Sequence, residues 1–259
     1  MHDLQIFERE SVNAATKTAV VSINEKTEVA ALEKIVNTRT SFVRFIDYLQ
    51  SFRNIGSQIC RIEFPIDTPQ GTGWLVAPDL VLTNYHVMEA ILDGVHTSDD
   101  VICRFDYFSA QQGFGEKEYH LGAEDWCLDK SKYAQSDIGR SQADPTPDEL
   151  DYILFRLKGE AGNDILPSGA KRGWIKVSEN PVAILPGDIV VVPQHPRGRS
   201  LELAFGNVLS TGAYNSSGNR LRYDANTDHG SSGSPVFNIE LKPFGLHHAG
   251  KVSGSTGYN

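Results

Sequence analysis

Gly230-Ser231-Ser232-Gly233-Ser234-Pro235 is the stretch that decides the reading of this chain. Its two glycines let the backbone turn tightly around a central serine. The amides of Gly230 and Ser232 can then converge on one oxygen, an arrangement that stabilises the oxyanion formed in acyl transfer. Alone, a Gly/Ser-rich hexapeptide fits a solvent loop equally well, so its weight depends on what else the chain carries.

Two further segments supply that weight. Gly71-Thr-Gly-Trp-Leu-Val-Ala-Pro-Asp-Leu-Val-Leu-Thr-Asn-Tyr-His86-Val reads as two short strands, 73–76 and 80–83, around a Pro78-Asp79 turn. His86 follows the second strand and opens a short helical turn. Glu149-Leu-Asp151-Tyr-Ile-Leu-Phe-Arg-Leu157 reads as an apolar strand led by an acid, a group that is costly to bury unless hydrogen-bonded. The order His, Asp, Ser is that of a triad in which serine attacks, histidine carries the proton and aspartate fixes the imidazole tautomer. Those roles fall to Ser232, His86 and Asp151. Asp148 and Asp137 are rivals for the acid, but only Asp151 directly precedes a long apolar strand.

These segments resemble the trypsin-like serine peptidases, from about Ile59 to the end of the chain. The resemblance is closest to bacterial intracellular versions, which carry Thr-Asn-x-His-Val, Leu-Asp-Tyr-x-Leu and Gln-His-Pro-x-Gly. This chain has Thr83-Asn84-Tyr85-His86-Val87, Leu150-Asp151-Tyr152 and Gln194-His195-Pro196-Arg197-Gly198. The resemblance implies an all-β, chymotrypsin-like fold of two six-stranded barrels and a serine endopeptidase acting through an acyl-enzyme on Ser232. The Gly-x-Ser-Gly-x-Pro pattern selects Ser232 over Ser231 and Ser234, with the Gly230 and Ser232 amides as oxyanion hole. His195 is expected to be structural, and His229 and His248 to be wall residues. Ser231 stands where the animal enzymes have an Asp that pairs with a freed N-terminus, so activation by N-terminal trimming is not expected. Thr227 and His247 match the glutamyl endopeptidases at two pocket positions, which implies cleavage after Glu, Gln or Asp. A protonated His247 would make cleavage after Glu weaken as pH rises. The alternative is a non-catalytic module of the same fold that holds a partner protein.

Composition narrows the classes further. The chain has 259 residues, 40% hydrophobic and 22% charged, enough for two small barrels and an appendage. A net charge of −9 without a Lys/Arg cluster argues against nucleic-acid binding. Cys60, Cys103 and Cys127 cannot all pair, which fits a reducing, cytoplasmic location. No signal peptide, membrane span, metal motif or cofactor motif is read from the sequence.

Residues 1–56 differ from the rest. Two segments, 27–36 and 41–52, show helical spacing, the second with a stripe of Phe42, Phe45, Ile46, Leu49 and Phe52. This prefix loosely resembles helical segments that precede peptidase domains in bacterial conflict and defence proteins, which implies a docking or recruiting role for a partner or sensor. The expected organisation is a helical segment at 1–56 and a peptidase domain at 57–259, with barrel 1 at 57–158, a linker at 159–173 and barrel 2 from 174. Residues 111–148 read as a long insertion ahead of Asp151. The family has a further strand and helix after the strand at 244–248, so the chain reads as a fragment of a longer protein.

Overall fold

The computed structural model describes residues 42–109, 115–122, 125–180, 182–210, 218–253 and 256–258. The chain divides into two compact units, Met1–Val43 and Arg44–Asn259. The expected helix at 27–36 lies outside the described residues. The expected helix at 41–52 is present as α1 (Phe45–Ser57), within the unit Arg44–Asn259.

The second unit is mostly β. Its first sheet contains β1 (Ile59–Glu63), β2 (Pro69–Leu75), β3 (Leu80–Thr83), β4 (Ile102–Phe105), β5 (Lys117–His120), β6 (Cys127–Ser131) and β7 (Tyr152–Arg156). The order is β5-β4-β1-β2-β3-β7-β6, every pairing antiparallel. A bridge joins Leu121, just past β5, to Leu157, just past β7, with Gly122 N–H on Arg156 O and Lys158 N–H on His120 O, both at 2.8 Å. The end of β5 and the whole of β6 therefore both lie against β7 and its extension, and this contact closes the sheet into a barrel. Part of the stretch expected as a long insertion, β6, thus belongs to the barrel wall. Alternation along β1 sets the interior: Cys60 and Ile62 join Phe105, Val81, Ile153 and Phe155 in the core.

The other face of β1 carries charge. Glu63 is fully buried, yet Arg61 Nε (2.8 Å) and Arg104 Nε (2.6 Å) both donate to its Oε1. Burial alone would raise the Glu63 carboxyl; the two guanidinium groups outweigh it and hold it below its usual range. Arg61 also donates to Gly198 O at 2.5 Å, which ties barrel 1 to a turn of the second sheet.

That second sheet comprises β8 (Ile189–Gln194), β9 (Glu202–Ser210), β10 (Arg222–Tyr223), β11 (Pro235–Asn238) and β12 (Pro243–Leu246), in the order β10-β9-β8-β11-β12. Among the described residues it has five strands, not the six expected. Its edge strands β10 and β12 both line one cavity of about 620 Å³, so the sheet curls without a described strand joining its edges. A hairpin, β13 (Lys251–Ser253) and β14 (Thr256–Tyr258), pairs only with itself among the described residues.

Helix α1 seals the junction of the two barrels. Phe52 and Ile55 pack on Ile59, Trp74, Val191 and Phe237, a cluster drawn from both sheets. Buried Arg172 donates to the α1 end at Ser57 O and forms a two-pronged pair with Asp106 at 2.9 and 2.7 Å. Phe45, Ile46 and Leu49 of the expected stripe are exposed instead.

Candidate active site

The end of β3 and the start of β7 are neighbours, with Thr83 opposite Ile153. The residues just beyond them, Asn84-Tyr85-His86 and Asp151, therefore meet. Helix α2 (Tyr85–Leu92) starts here, longer than a single turn, and its first amides need acceptors. The Asp151 carboxylate supplies one: His86 N–H donates to Oδ1 at 3.1 Å. The His86 ring then meets the other oxygen, Nδ1 to Oδ2, at 2.7 Å. Asp151 is held from behind by Asn84 Nδ2, which donates to its carbonyl at 2.8 Å, and its own backbone has φ 52°, a left-handed conformation that Asp tolerates.

Asp151 is 1% exposed. Burial alone would raise its carboxyl, but the His248 and His86 imidazoles outweigh that and hold it well below the usual carboxylate range. An ionised acceptor facing Nδ1 fixes the proton there and leaves Nε2 of His86 as a base. Tyr133, from the segment ahead of Asp151, stands edge-on to His86 with ring centroids 6.5 Å apart. Arg220 clamps that segment to the second barrel, donating to Asp137 Oδ2 and to Glu149 O, both at 2.7 Å.

Ser232 lies in the turn before β11. Two carbonyls just ahead of it are fixed by hydrogen bonds: His229 O accepts from Arg197 N–H (2.5 Å), and Ser231 O accepts from Ser234 N–H (3.1 Å). In a planar trans peptide the N–H points opposite to the C=O. The Gly230 and Ser232 amides are therefore both turned away from those partners, and neither donates to another group among the described residues. Gly230 has φ 90°, and a Cβ there would sit 2.7 Å from His195 O, so no other residue takes this conformation cheaply. Gly233 is tighter still, at φ 86° with a Cβ only 2.1 Å from Thr72 O.

Ser231 is fully buried and shows what orders the loop in place of an ion pair. Ser231 N–H donates to Asp228 O at 2.9 Å, and Asp228 N–H donates to Ser231 Oγ at 3.0 Å. From barrel 1, Thr72 grips the same loop. Its N–H donates to Ser232 O and its hydroxyl to Gly230 O, each at 2.8 Å, while the hydroxyl accepts from His195 N–H at 3.0 Å. No hydrogen bond joins Ser232 to His86 among the described residues; such contacts commonly tighten only when substrate is bound.

His195 and His247 are both buried. The His195 ring donates from Nδ1 to Arg199 O at 2.9 Å; burial pushes its pKa down to about 4, against that hydrogen bond. His247 Nδ1 lies 2.7 Å from the Tyr223 hydroxyl. Burial, then the charges of His248 and His86, push His247 down to about 3. The ring is therefore neutral, and a protonated His247, the condition for cleavage after Glu to weaken as pH rises, is disfavoured by this burial. His247 lines the cavity between β10 and β12, together with Trp74, Val182, Tyr223 and Phe244; half-buried Thr227 does not. Among the described residues no group of three or more His, Cys, Asp or Glu side chains could hold a metal ion.

The profile of the trypsin-like peptidase domain matches residues 71–246, more than half of the chain. The chain belongs to that family. The uncharacterized protein y4fB of Sinorhizobium fredii (strain NBRC 101917 / NGR234) is 26% identical over 213 residues, 79% of this chain. The chain spans only 29% of the length of that relative. Among solved structures, Deg5 matches with a TM-score of 0.52 at 15% identity, covering 80% of this chain and 87% of Deg5. The Rv3671c protein of M. tuberculosis matches with a TM-score of 0.48 at 15% identity, over 85% of this chain and 88% of that one. The fold is thus that of a trypsin-like serine peptidase, and no described helix is long and apolar enough to cross a membrane.

Within this trypsin-like domain, two contacts went unassigned by sequence. Thr72 carries a visible signal, since it sits between the two glycines of Gly71-Thr72-Gly73, where neighbouring backbone approaches closely. His248 Nδ1 lies 3.4 Å from Asp151 Oδ2, a contact that nothing in its local sequence announces.

Proposed function

We propose that this domain is a serine endopeptidase in which Ser232 is the nucleophile, His86 the general base and acid, and Asp151 the partner that orients His86. The observation that carries this reading is the buried Asp151 carboxyl bonded to His86 Nδ1, together with Gly230 and Ser232 amides that donate to no group among the described residues. Ser232 Oγ attacks the scissile carbonyl carbon and passes its proton to His86 Nε2. The carbonyl oxygen, now anionic, accepts from the two amides. His86 then gives the proton to the departing amine, and water hydrolyses the acyl-enzyme by the same relay.

The residue before the scissile bond is Glu, Gln or Asp in this reading, with Gln foremost. A Tyr223 hydroxyl donating to His247 Nδ1 leaves Nε2–H as a neutral donor, suited to an amide oxygen at any pH near neutrality. Trp74, whose buried Nε1–H has no partner among the described residues, lines the same cavity. Free Cys60, Cys103 and Cys127 suit a reducing compartment.

The test is labelling with a fluorophosphonate probe, followed by a peptide-library cleavage profile. Ser232→Ala is expected to abolish labelling and to lower kcat on the order of 10⁶-fold. The ratio of cleavage after Gln to cleavage after Glu is expected to stay constant between pH 6 and 8. An unlabelled wild-type protein would point instead to a non-catalytic binding module, and cleavage after Lys or Arg would remove the proposed specificity.

A further inference from the structure

Asp151 has more company than a single histidine. Its Oδ1 accepts from His86 N–H and its Oδ2 from His86 Nδ1, both groups belonging to barrel 1. A third donor site approaches from the other barrel: His248 Nδ1, at 3.4 Å from Oδ2. That nitrogen is shut off from solvent and makes no well-aligned hydrogen bond to any group among the described residues. The rest of the side chain is 20% exposed and borders the cavity between β10 and β12, so Nδ1 is the atom turned inward, towards Asp151. The backbone holding it is fixed: His247 N–H donates to Ser234 O at 2.9 Å, and His247 O accepts from Gly233 N–H at 2.8 Å. His248 thus hangs from the nucleophile's own loop and reaches the acid of the opposite barrel.

We propose that His248 is a positioning residue for Asp151, presenting an Nδ1–H to Oδ2 so that the carboxylate is gripped by two imidazoles from two barrels. Electrostatics leaves no other tautomer: a bare Nδ1 lone pair facing a buried carboxylate oxygen would be repulsive, whereas an N–H is attractive. The second grip resists rotation of the carboxylate away from His86, and it registers that pair against the loop bearing Ser232. Its effect is expected on kcat more than on KM: His248 reaches the reacting groups through Asp151, while its ring also lines the cavity that holds His247.

This inference rests on the proposed serine peptidase reading, and two measurements keep the two apart. Long-range proton–nitrogen NMR of the wild-type imidazoles is expected to show His248 with Nδ1 protonated, whether or not the protein turns over substrate; an Nε2–H tautomer with bare Nδ1 would overturn the proposal. In the second, His248→Ala is expected to lower kcat about 10- to 100-fold with KM within about threefold, the scale of a small misplacement of a catalytic group. His248→Asn, which returns an N–H donor near the position of Nδ1, is expected to recover activity to within about threefold of wild type, and His248→Gln is not. Unchanged kcat in a folded His248→Ala, or equal losses in the Asn and Ala variants, would overturn it. Absent fluorophosphonate labelling of wild type would count against the peptidase reading alone, with the NMR tautomer still deciding the role of His248.

Discussion

Lowering the pH from 7.5 to 5 is expected to remove about 4 kcal/mol of folding stability, through His195 and His247. Both rings are neutral in the fold, burial having pushed His195 down to about 4 and His247 down to about 3. In the unfolded chain each returns to the ordinary value of 6.5. For a base whose folded pKa is depressed, the unfolded state binds more protons between the two values. Stability is therefore complete above 6.5 and is lost as pH falls towards the folded value. At pH 5 the loss is set by the gap of about 1.5 pH units below the unfolded value, so each ring accounts for about 2 kcal/mol. The depressed carboxylates Asp151 and Glu63 begin to lose their contribution as pH falls through their unfolded values of 3.8 and 4.5, below this window. Urea unfolding at a series of pH values measures the effect. His195→Asn keeps a donor near Arg199 O but cannot titrate, and is expected to halve the loss. Stability that stays flat from pH 7.5 to 5, or a full loss retained in His195→Asn, would refute the assignment of two buried neutral rings.

Thr72→Val keeps the shape of a fully buried side chain but strips Gly230 O and His195 N–H of their partner; the expected cost is about 2–5 kcal/mol, read by urea unfolding, with a fall in labelling rate as the loop loosens. Gly233→Ala forces a Cβ against Thr72 O in a left-handed conformation, and about 3 kcal/mol or more of stability should go, measured the same way. Removing residues 1–43, which lie outside the barrel unit, should leave fluorophosphonate labelling within about tenfold of wild type; complete loss in a folded product would show that the first unit orders the site.

Much of the fold could be read because strand signals here are local. β3 and β7 are apolar runs bounded by turn residues, and the chemistry-bearing His86 and Asp151 stand just past one and just before the other. β6 escaped for the opposite reason: Cys127-Leu-Asp-Lys-Ser131 lies largely exposed and has no apolar alternation to betray a strand. It is a strand because its neighbour β7 offers a free edge, a fact of tertiary structure. The state of His247 was equally hidden, since its neutrality depends on burial and on Tyr223, 24 residues away. His248 could be seen only as a wall residue, because its partner Asp151 belongs to the other barrel. The α1 boundary was misplaced since Phe52 and Ile55, which face the barrel junction, continue the same apolar spacing as the exposed Phe45 and Leu49.

The grip of Thr72 on the Ser232 loop has a consequence for inhibition. His86 and Asp151 ride on one barrel and Ser232 on the other, and the threonine is a rivet between them. In the proposed mechanism neither barrel carries the chemistry alone, so their alignment is itself a working part. A compound that wedged the barrels apart by an ångström, far from any substrate, would silence the site without competing for it. Such a compound would meet α1 and Arg172, which pack along that junction away from the proposed reacting groups.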